Sequence, residues 1–440
     1  MKTKLIWFFC FLISLSVSSQ TISPEWSKKA TIYEVNIRQF TPEGTFKAFS
    51  SHIPRLKKMG VDILWLMPIH PIGEKNRKGS LGSYYAVRDY KAVNSEFGTL
   101  SDFKELVKIV HDNDMKIIID WVANHTSPDN VWVDQGHKDW YSLDSAGNLQ
   151  PTIGTDWWDV ADLNYDNKEM RAAMIDAMKF WVKETDIDGY RCDVAGWVPI
   201  DFWIETRTQL DKEKKVFMLA EAEEVPMAKA FDMTYGWELH HIMNGVAQDK
   251  KKVTDLINFF KNDPYPKEHM KMNFTSNHDE NSWNGTEMER MGKSYKTFAV
   301  FAALIDGMPL VYNGQEAELS KRLKFFEKDT IDWSKMELTP FYSKLLKLHK
   351  NHPALWTGAT ESVPEFLIGD DANKTLAFLR EKDGKQVLCV LNFSDKVQTI
   401  AINSSKIKGK YIDLFSKKKR KLNSSVNLQI EPYGFRVFTK

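Results

Sequence analysis

Short apolar runs alternate with amphipathic segments along the chain up to about position 353. Several runs are apolar at nearly every position, which is typical of strands covered on both faces in a parallel sheet. The predicted strands are 32–40, 62–68, 116–120, 188–193, 216–221, 231–234, 272–277 and 309–313. Between them, segments such as 103–110 and 170–182 carry apolar residues at helical spacing, and Ser101 and Asp102 are predicted to cap the first of these helices. Strands that alternate with helices in this way predict the α/β class and a closed (β/α)8 barrel, with chemistry at the carboxyl ends of the strands.

Two stretches depart from this alternation. Residues 124–166, rich in Trp, Asp, Gly and Asn, follow the third strand and are too long for a plain loop, so they predict a small inserted domain. Residues 353–440 carry short alternating strands at 375–380, 386–393 and 426–438, which predict a separate antiparallel β-sandwich. We therefore expect a catalytic barrel over 20–352, interrupted by 124–166, and a C-terminal β domain over 353–440.

Residues 1–19 have the layout of a secretory signal peptide. Lys2 and Lys4 precede an apolar stretch that is followed by small polar residues. The stretch is too short for a membrane span, and no later segment is apolar for long enough to cross a bilayer. We expect a secreted or periplasmic protein. Lipidation at Cys10 is the less favoured alternative, because the small residues expected before a lipidated cysteine are missing.

The balance of basic and acidic residues argues against a polyanionic partner. The chain has 60 Lys and Arg against 59 Asp and Glu, so it has no strong field to attract nucleic acid or an acidic membrane surface. A neutral ligand is the better expectation. The 15 Trp and 14 Tyr suit a sugar, whose rings offer an apolar face to aromatic side chains.

Carboxylates lie at the ends of several predicted strands. Asp120, Asp193, Glu221 and Asp279 follow the third, fourth, fifth and seventh strands, where a charge is costly unless it faces a polar cleft. Cleavage of a glycosidic bond needs one carboxylate as nucleophile and one carboxylic acid as proton donor. Arg191 lies two residues before Asp193 on the same strand face, and we expect it to keep Asp193 ionised. Glu221, crowded by other acids, is the expected proton donor.

These motifs occur in an order that resembles the α-amylase superfamily, glycoside hydrolase family 13. The resemblance rests on 120–125, 161–164, 189–193, the strand that ends at Glu221, and 274–279. It implies that Asp193 is the nucleophile, Glu221 the acid/base and Asp279 the residue that stabilises the transition state. It also implies substrate contacts from Tyr85, His125, Arg191, His278 and Trp197, and a structural Ca²⁺ bound by Asn124 and Asp162. The inserted segment and the terminal unit would be the family's domains B and C. Because this domain B is short, the alternative that the calcium site has been lost stays open.

Two features separate the chain from many α-amylases. Gly196 and Trp197 stand where a Lys-His pair is common after the nucleophile, and 193–203 is closer to neopullulanases and cyclomaltodextrinases. The favoured function is hydrolysis of α-1,4-linked glucans or maltooligosaccharides with retention of configuration, and no cofactor is expected for the chemistry. The alternatives are transglycosylase or isomerase activity, cyclomaltodextrinase or neopullulanase activity, and a catalytically silent member that binds glycans.

Overall fold

The computed structural model describes residues 23–358 and 362–440, so the predicted signal peptide at 1–19 lies outside the described residues. Within the described part, eight parallel strands close a barrel in sequential order, as predicted. We number them β1 to β8 along the chain: β1 Ile32–Val35, β2 Ile63–Leu66, β3 Lys116–Val122, β4 Gly189–Asp193, β5 Phe217–Ala220, β6 Met233–Tyr235, β7 Met270–Asn273 and β8 Met308–Tyr312.

The barrel interior is a packed core and not a pore. Trp65, Phe217, Met233 and Met272 are fully buried in one cluster that fills it. The register places the polar strand ends side by side, because Asp120 of β3 pairs with Arg191 of β4. The carboxyl ends of all eight strands therefore surround one mouth.

The helices form the outer layer, and their sequences explain where they begin. Asn167 caps the helix that follows domain B: its side chain accepts hydrogen bonds from the backbone of Glu169 (2.9 Å) and Met170 (3.0 Å). That helix buries Met170 and Trp181 against the barrel. The α-helices are Ile37–Phe40, Phe46–Ser50, Ile53–Met59, Leu100–Asp112, Val131–Asp134, Lys168–Thr185, Ile200–Glu213, Trp237–Ala247, Val253–Lys261, Glu287–Met291, Tyr295–Leu304 and Thr339–Asn351.

Three local predictions about the barrel were wrong. The first strand ends at Val35, because the Asn36 carbonyl accepts the N–H of Phe40 (2.9 Å) and starts the helix Ile37–Phe40. The helix Leu100–Asp112 is capped by Thr99, not by Ser101 and Asp102; Asp102 instead completes a capping box with Thr99. Strand β7 ends at Asn273, so the following polar motif lies on a loop beyond the strand tip.

Residues 124–166 form a small insertion between β3 and the helix that leads to β4. Its two-residue strands, His125–Thr126 and Ala161–Asp162, pair antiparallel, with His125 opposite Asp162. This pairing holds the base of the insertion beside the barrel mouth.

The C-terminal unit is antiparallel, as predicted. Its strands are β9 Glu365–Asp370, β10 Thr375–Lys382, β11 Lys385–Asn392, β12 Gln398–Asn403, β13 Gly409–Asp413, β14 Lys419–Leu422, β15 Ser425–Ile430 and β16 Phe435–Thr439. One sheet has the order β9-β10-β11-β16-β13-β14, and β12 pairs with β15 in a second. The strand predicted over 426–438 is two strands, because a turn with Tyr433 at φ +52° separates β15 from β16. Phe393 stacks on Phe298 (4.5 Å between ring centroids) and joins this unit to the barrel.

No helix in the described ranges combines the length and the apolar character that a bilayer crossing requires.

Candidate active site

A cavity of about 980 Å³ opens at the carboxyl ends of the barrel strands. Asp193 is the last residue of β4, and Glu221 follows β5 directly. Asp279 lies on the loop after β7, where it precedes the turn Glu280–Asn284. The structure therefore brings the three predicted carboxylates to one opening. The cavity wall includes Tyr85, His125, Asp193, Glu221, His278 and Asp279.

Arg191 joins the carboxylates at the floor of the cavity. Its Nη1 donates to Asp193 Oδ1 (3.0 Å) and to Asp120 Oδ1 (2.9 Å). Its Nη2 lies 2.7 Å from Glu221 Oε2. The side chain of Arg191 is fully buried, so these contacts exchange little with water and hold the carboxylates in fixed positions.

Backbone geometry after the nucleophile fixes the second carboxylate. Val194 has φ +37°, a left-handed conformation that is an outlier for a β-branched residue. In that conformation its N–H donates to Glu221 Oε2 (2.9 Å), and strain of this kind is found at functional sites. The neighbouring acids have other surroundings: Glu223 accepts the N–H of Glu238 (2.9 Å) at a helix start, and Glu224 faces Gly196. Of these three acids, Glu221 is the one that lines the cavity.

A chain of hydrogen bonds surrounds Tyr85. Its hydroxyl group lies 3.0 Å from Asp120 Oδ2 and 2.7 Å from His278 Nε2, and its ring stacks beside the His278 ring (5.5 Å, 18°). His278 Nδ1 lies 2.5 Å from Glu34 Oε1. Glu34 belongs to β1 and is fully buried. These contacts hold Tyr85 in the cavity wall.

Burial and charge set the protonation of the two histidines. Burial alone lowers the pKa of His278, but the carboxylates of Asp279 and Glu34 outweigh it and raise that pKa to about 9. His278 is therefore a cation at neutral pH. Burial lowers the pKa of His125 to about 4, so His125 is neutral and offers one donor and one acceptor.

The pKa of Asp193 differs in direction from the prediction. Burial raises it well above its ordinary value, and Glu221, Asp120 and Asp279 add to this rise while Arg191 opposes it. The contact between Arg191 and Asp193 is as predicted, but the net direction is opposite, because several carboxyl groups share one guanidinium. Burial and the repulsion between neighbouring carboxylates therefore favour the protonated form of Asp193 in the empty site.

Aromatic residues surround the mouth. Trp197 is half exposed and stacks on Trp157 (5.5 Å, 26°), and Trp157 also contacts the His125 ring (5.5 Å). Trp157 lines the cavity, whereas Trp197 lies at the rim behind it. On another side, Trp283 packs on Phe325 (5.1 Å). These surfaces suit the apolar faces of sugar rings.

The side chains expected to bind Ca²⁺ are hydrogen-bonded to neighbouring hydroxyl groups. The hydroxyl groups of Ser142 and Thr152 donate to the two carboxylate oxygens of Asp162, each at 2.8 Å. Asn124 points its Nδ2, and not its oxygen, toward Thr152 (2.8 Å). Calcium takes six to eight oxygen ligands. The described residues include no cluster of three or more His, Cys, Asp or Glu that would bind a metal.

Sequence reasoning missed several residues of the site. Tyr235, at the end of β6, accepts a hydrogen bond from Arg191 Nε (3.0 Å), and the Trp65 indole donates to Asp120 Oδ2 (3.2 Å). The sequence did contain a signal for Glu34, because a charged residue inside an otherwise apolar strand indicates a polar site. Trp157 had none, because only the folded insertion brings it to the cavity.

Comparisons with known proteins agree with this geometry. The family model for the α-amylase catalytic domain matches residues 21–362, and that for the maltogenic amylase C-terminal domain matches 365–437. The crystal structure of a noncanonic maltogenic α-amylase from Thermotoga neapolitana superposes with a TM-score of 0.85 at 31% identity, over 94% of this chain and 99% of that one. Alpha-amylase 2 of Dictyoglomus thermophilum is 26% identical, over 90% of this chain and 74% of its own length. A cyclomaltodextrinase of Bacillus sp. is 24% identical, over 84% and 73% respectively.

The matching family model spans most of the chain, the solved relative shares the whole architecture, and the three carboxylates meet in one cavity. The chain therefore belongs to the α-amylase family of glycoside hydrolases, which act on α-glucans.

Proposed function

We propose that the protein hydrolyses α-1,4-linked gluco-oligosaccharides with retention of configuration. The observation that carries this proposal is that Asp193 and Glu221 contact the same guanidinium in one cavity, with Asp279 beside them. Sharing one guanidinium favours the separation of about 5 to 5.5 Å that is typical of retaining enzymes over the wider separation of inverting ones.

In the first step, an Asp193 oxygen attacks the anomeric carbon while the bond to the leaving oxygen breaks. Glu221 gives its proton to that oxygen and becomes a carboxylate. Positive charge that develops at the anomeric carbon stabilises the ionised form of Asp193, which is the form that acts as the nucleophile. Asp279 and the cationic His278 bind sugar hydroxyl groups, and neutral His125 adds a further hydrogen bond.

In the second step, Glu221 accepts a proton from water, and the resulting oxygen nucleophile attacks the anomeric carbon and displaces Asp193. The double inversion retains the α configuration. The chemistry uses side chains alone, and no step needs a metal. The hydrogen bonds from Asn124 to Thr152 and from Thr152 to Asp162 support the proposal that this member has no structural Ca²⁺ at that position.

Transfer to a second sugar is the competing outcome of the same intermediate. Trp157, in the insertion after β3, stacks on the half-exposed Trp197, which follows β4, and this stack offers a platform for an acceptor. The relatives named as a maltogenic amylase and a cyclomaltodextrinase support maltooligosaccharides as substrates. We also propose export by the segment 1–19, which its layout of basic and apolar residues supports.

The test is incubation with maltooligosaccharides, cyclodextrins, pullulan and starch, followed by chromatography and by NMR of the first anomer released. We expect α anomers and a net increase in reducing ends. Asp193→Asn should abolish turnover while ligand binding, measured by calorimetry, persists. Asp176→Asn, a surface change on the helix Lys168–Thr185, is the matched control. Release of β anomers, or appreciable turnover by Asp193→Asn, contradicts the proposal.

A further inference from the structure

Residues 73–82, which follow β2, contribute to the wall of the cavity, and we call this segment the strap. Arg77, Lys78 and Gly79 of the strap line the cavity wall. At its middle the strap is attached to domain B. Lys78 Nζ lies 3.0 Å from Asp159 Oδ1 and 4.3 Å from the centroid of the Trp158 ring. Asn76 Nδ2 donates to the Trp158 carbonyl (3.1 Å).

The far end of the strap is attached to the loop after β8. The Ser80 N–H donates to Glu327 Oε1 (2.9 Å), the Ser80 hydroxyl group donates to Glu327 Oε2, and the Leu81 N–H donates to the Phe326 carbonyl (3.1 Å). Gly79 has φ +63°, and a Cβ at this position would lie 2.5 Å from the Cβ of Phe326. Only glycine allows so close an approach.

The first residues of the strap are fixed by hydrogen bonds to Asp129. Asp129 Oδ2 accepts the N–H of Glu74 (2.8 Å) and that of Lys75 (3.3 Å), and it also pairs with Arg88 (2.9 Å). These contacts fix the segment at its base, its middle and its end. The strap is therefore part of the cavity wall.

The order of strands shows which end of a substrate meets the strap. In the closed barrel β5 lies across from β1, and β2 and β8 flank β1. Glu221 follows β5, so the leaving part of the substrate departs on that side. The strap links the loop after β2 to the loop after β8 and so closes the opposite side. That side receives the glycone, the sugars that remain on Asp193.

We propose that the strap ends the cleft on its glycone side, so that the enzyme removes short units from the non-reducing ends of α-glucans and does not cut within chains. This inference rests on the proposed hydrolytic function and assigns Lys78, Ser80 and Glu327 as residues that determine the cleavage pattern. The cavity volume of about 980 Å³ agrees, because it lies within the size range of small-molecule pockets.

The test compares two forms of a chromogenic maltoheptaoside, one with a free non-reducing end and one with that end blocked by a cyclic acetal. We expect the wild type to cleave the blocked form with a kcat/KM lower by roughly ten-fold or more, since steric exclusion of about 1.4 kcal/mol already gives that ratio. The double variant Lys78→Ala/Glu327→Ala should narrow the difference by raising kcat/KM on the blocked form. Asp159→Asn keeps the shape of the side chain that pairs with Lys78 but removes its charge, and it should also raise kcat/KM on the blocked form.

Lys104→Ala is the matched control, because Lys104 pairs with Glu184 (3.0 Å) on exposed helix surfaces and should leave the ratio unchanged. Equal cleavage of both forms by the wild type overturns the proposal, and so does a ratio that no folded strap variant changes. If no α-glucan is hydrolysed, the proposed function fails, and the strap is then tested by binding: the blocked maltoheptaoside should bind roughly ten-fold more weakly than the free form, and equal binding overturns the inference.

Discussion

The ion pair between Glu34 and His278 allows a quantitative prediction. The pKa of His278, at about 9, lies about 2.5 units above its ordinary value of 6.5, which corresponds to about 3 kcal/mol at 1.36 kcal/mol per unit. Burial opposes this rise, while the charge of Asp279 and both the charge and the hydrogen bond of Glu34 contribute to it. The change Glu34→Gln keeps an oxygen that accepts from Nδ1 and removes the charge. We expect the pKa of His278 to fall by about 1 unit, to near 8.

The assay is NMR titration of protein labelled at the histidine Cε1 carbon. His278→Asn identifies the signal, and Glu316→Gln is the control, because Glu316 is an equally buried carboxylate that pairs with Tyr33 and Arg55 and not with a histidine. The control should leave the His278 midpoint near 9. An unchanged midpoint in Glu34→Gln refutes the reasoning that charge at Glu34 sets the protonation of His278.

The folding stability of the protein should depend on pH through the protonation of His278. The pKa of folded His278 is raised above its unfolded value, so its contribution is complete below about pH 6.5 and is lost as pH rises through about 9. The unfolding temperature of the wild type should therefore fall between pH 7 and pH 9.5 by more than that of Glu34→Gln. Parallel curves for the two proteins contradict this linkage.

Three further predictions concern the surroundings of the site. Asp120→Asn removes a buried partner of Arg191, and we expect the unfolding free energy to fall by about 3 kcal/mol and kcat/KM to fall as well. An unchanged unfolding free energy in chemical denaturation would show that Asp193 and Glu221 suffice to hold the guanidinium. Trp197→Ala should raise KM or reduce transfer products by roughly two- to ten-fold, as expected for loss of an aromatic contact of about 0.5 to 1.5 kcal/mol, and product ratios over time measure it. Treatment with EDTA should leave the unfolding temperature unchanged, because the carboxylate of Asp162 is already satisfied by hydroxyl groups; a lower temperature would reveal a bound metal.

Much of the fold follows from local pattern. Continuous apolar runs separated by helical periods predict a parallel barrel, because each strand must be covered on both faces. Once the barrel is predicted, the carboxyl end of every strand is known, and Asp193 and Glu221 then fall at one mouth. The strand ends that were predicted wrongly lie where the backbone turns locally, at the helix start after Asn36 and at Tyr433 with its positive φ.

Tertiary structure alone decided the parts of the site that depend on closure of the barrel. Glu34 and His278 are 244 positions apart and meet only because β1 and β7 both flank β8. The strap likewise faces Glu327 only in the folded molecule. The pKa of Asp193 depends on burial and on the summed charge of neighbours from several strands, which no local pattern encodes. The periodicity of the sequence shows which face of a helix or strand is buried. The distances and electrostatic interactions between side chains of different elements are set only when the chain folds.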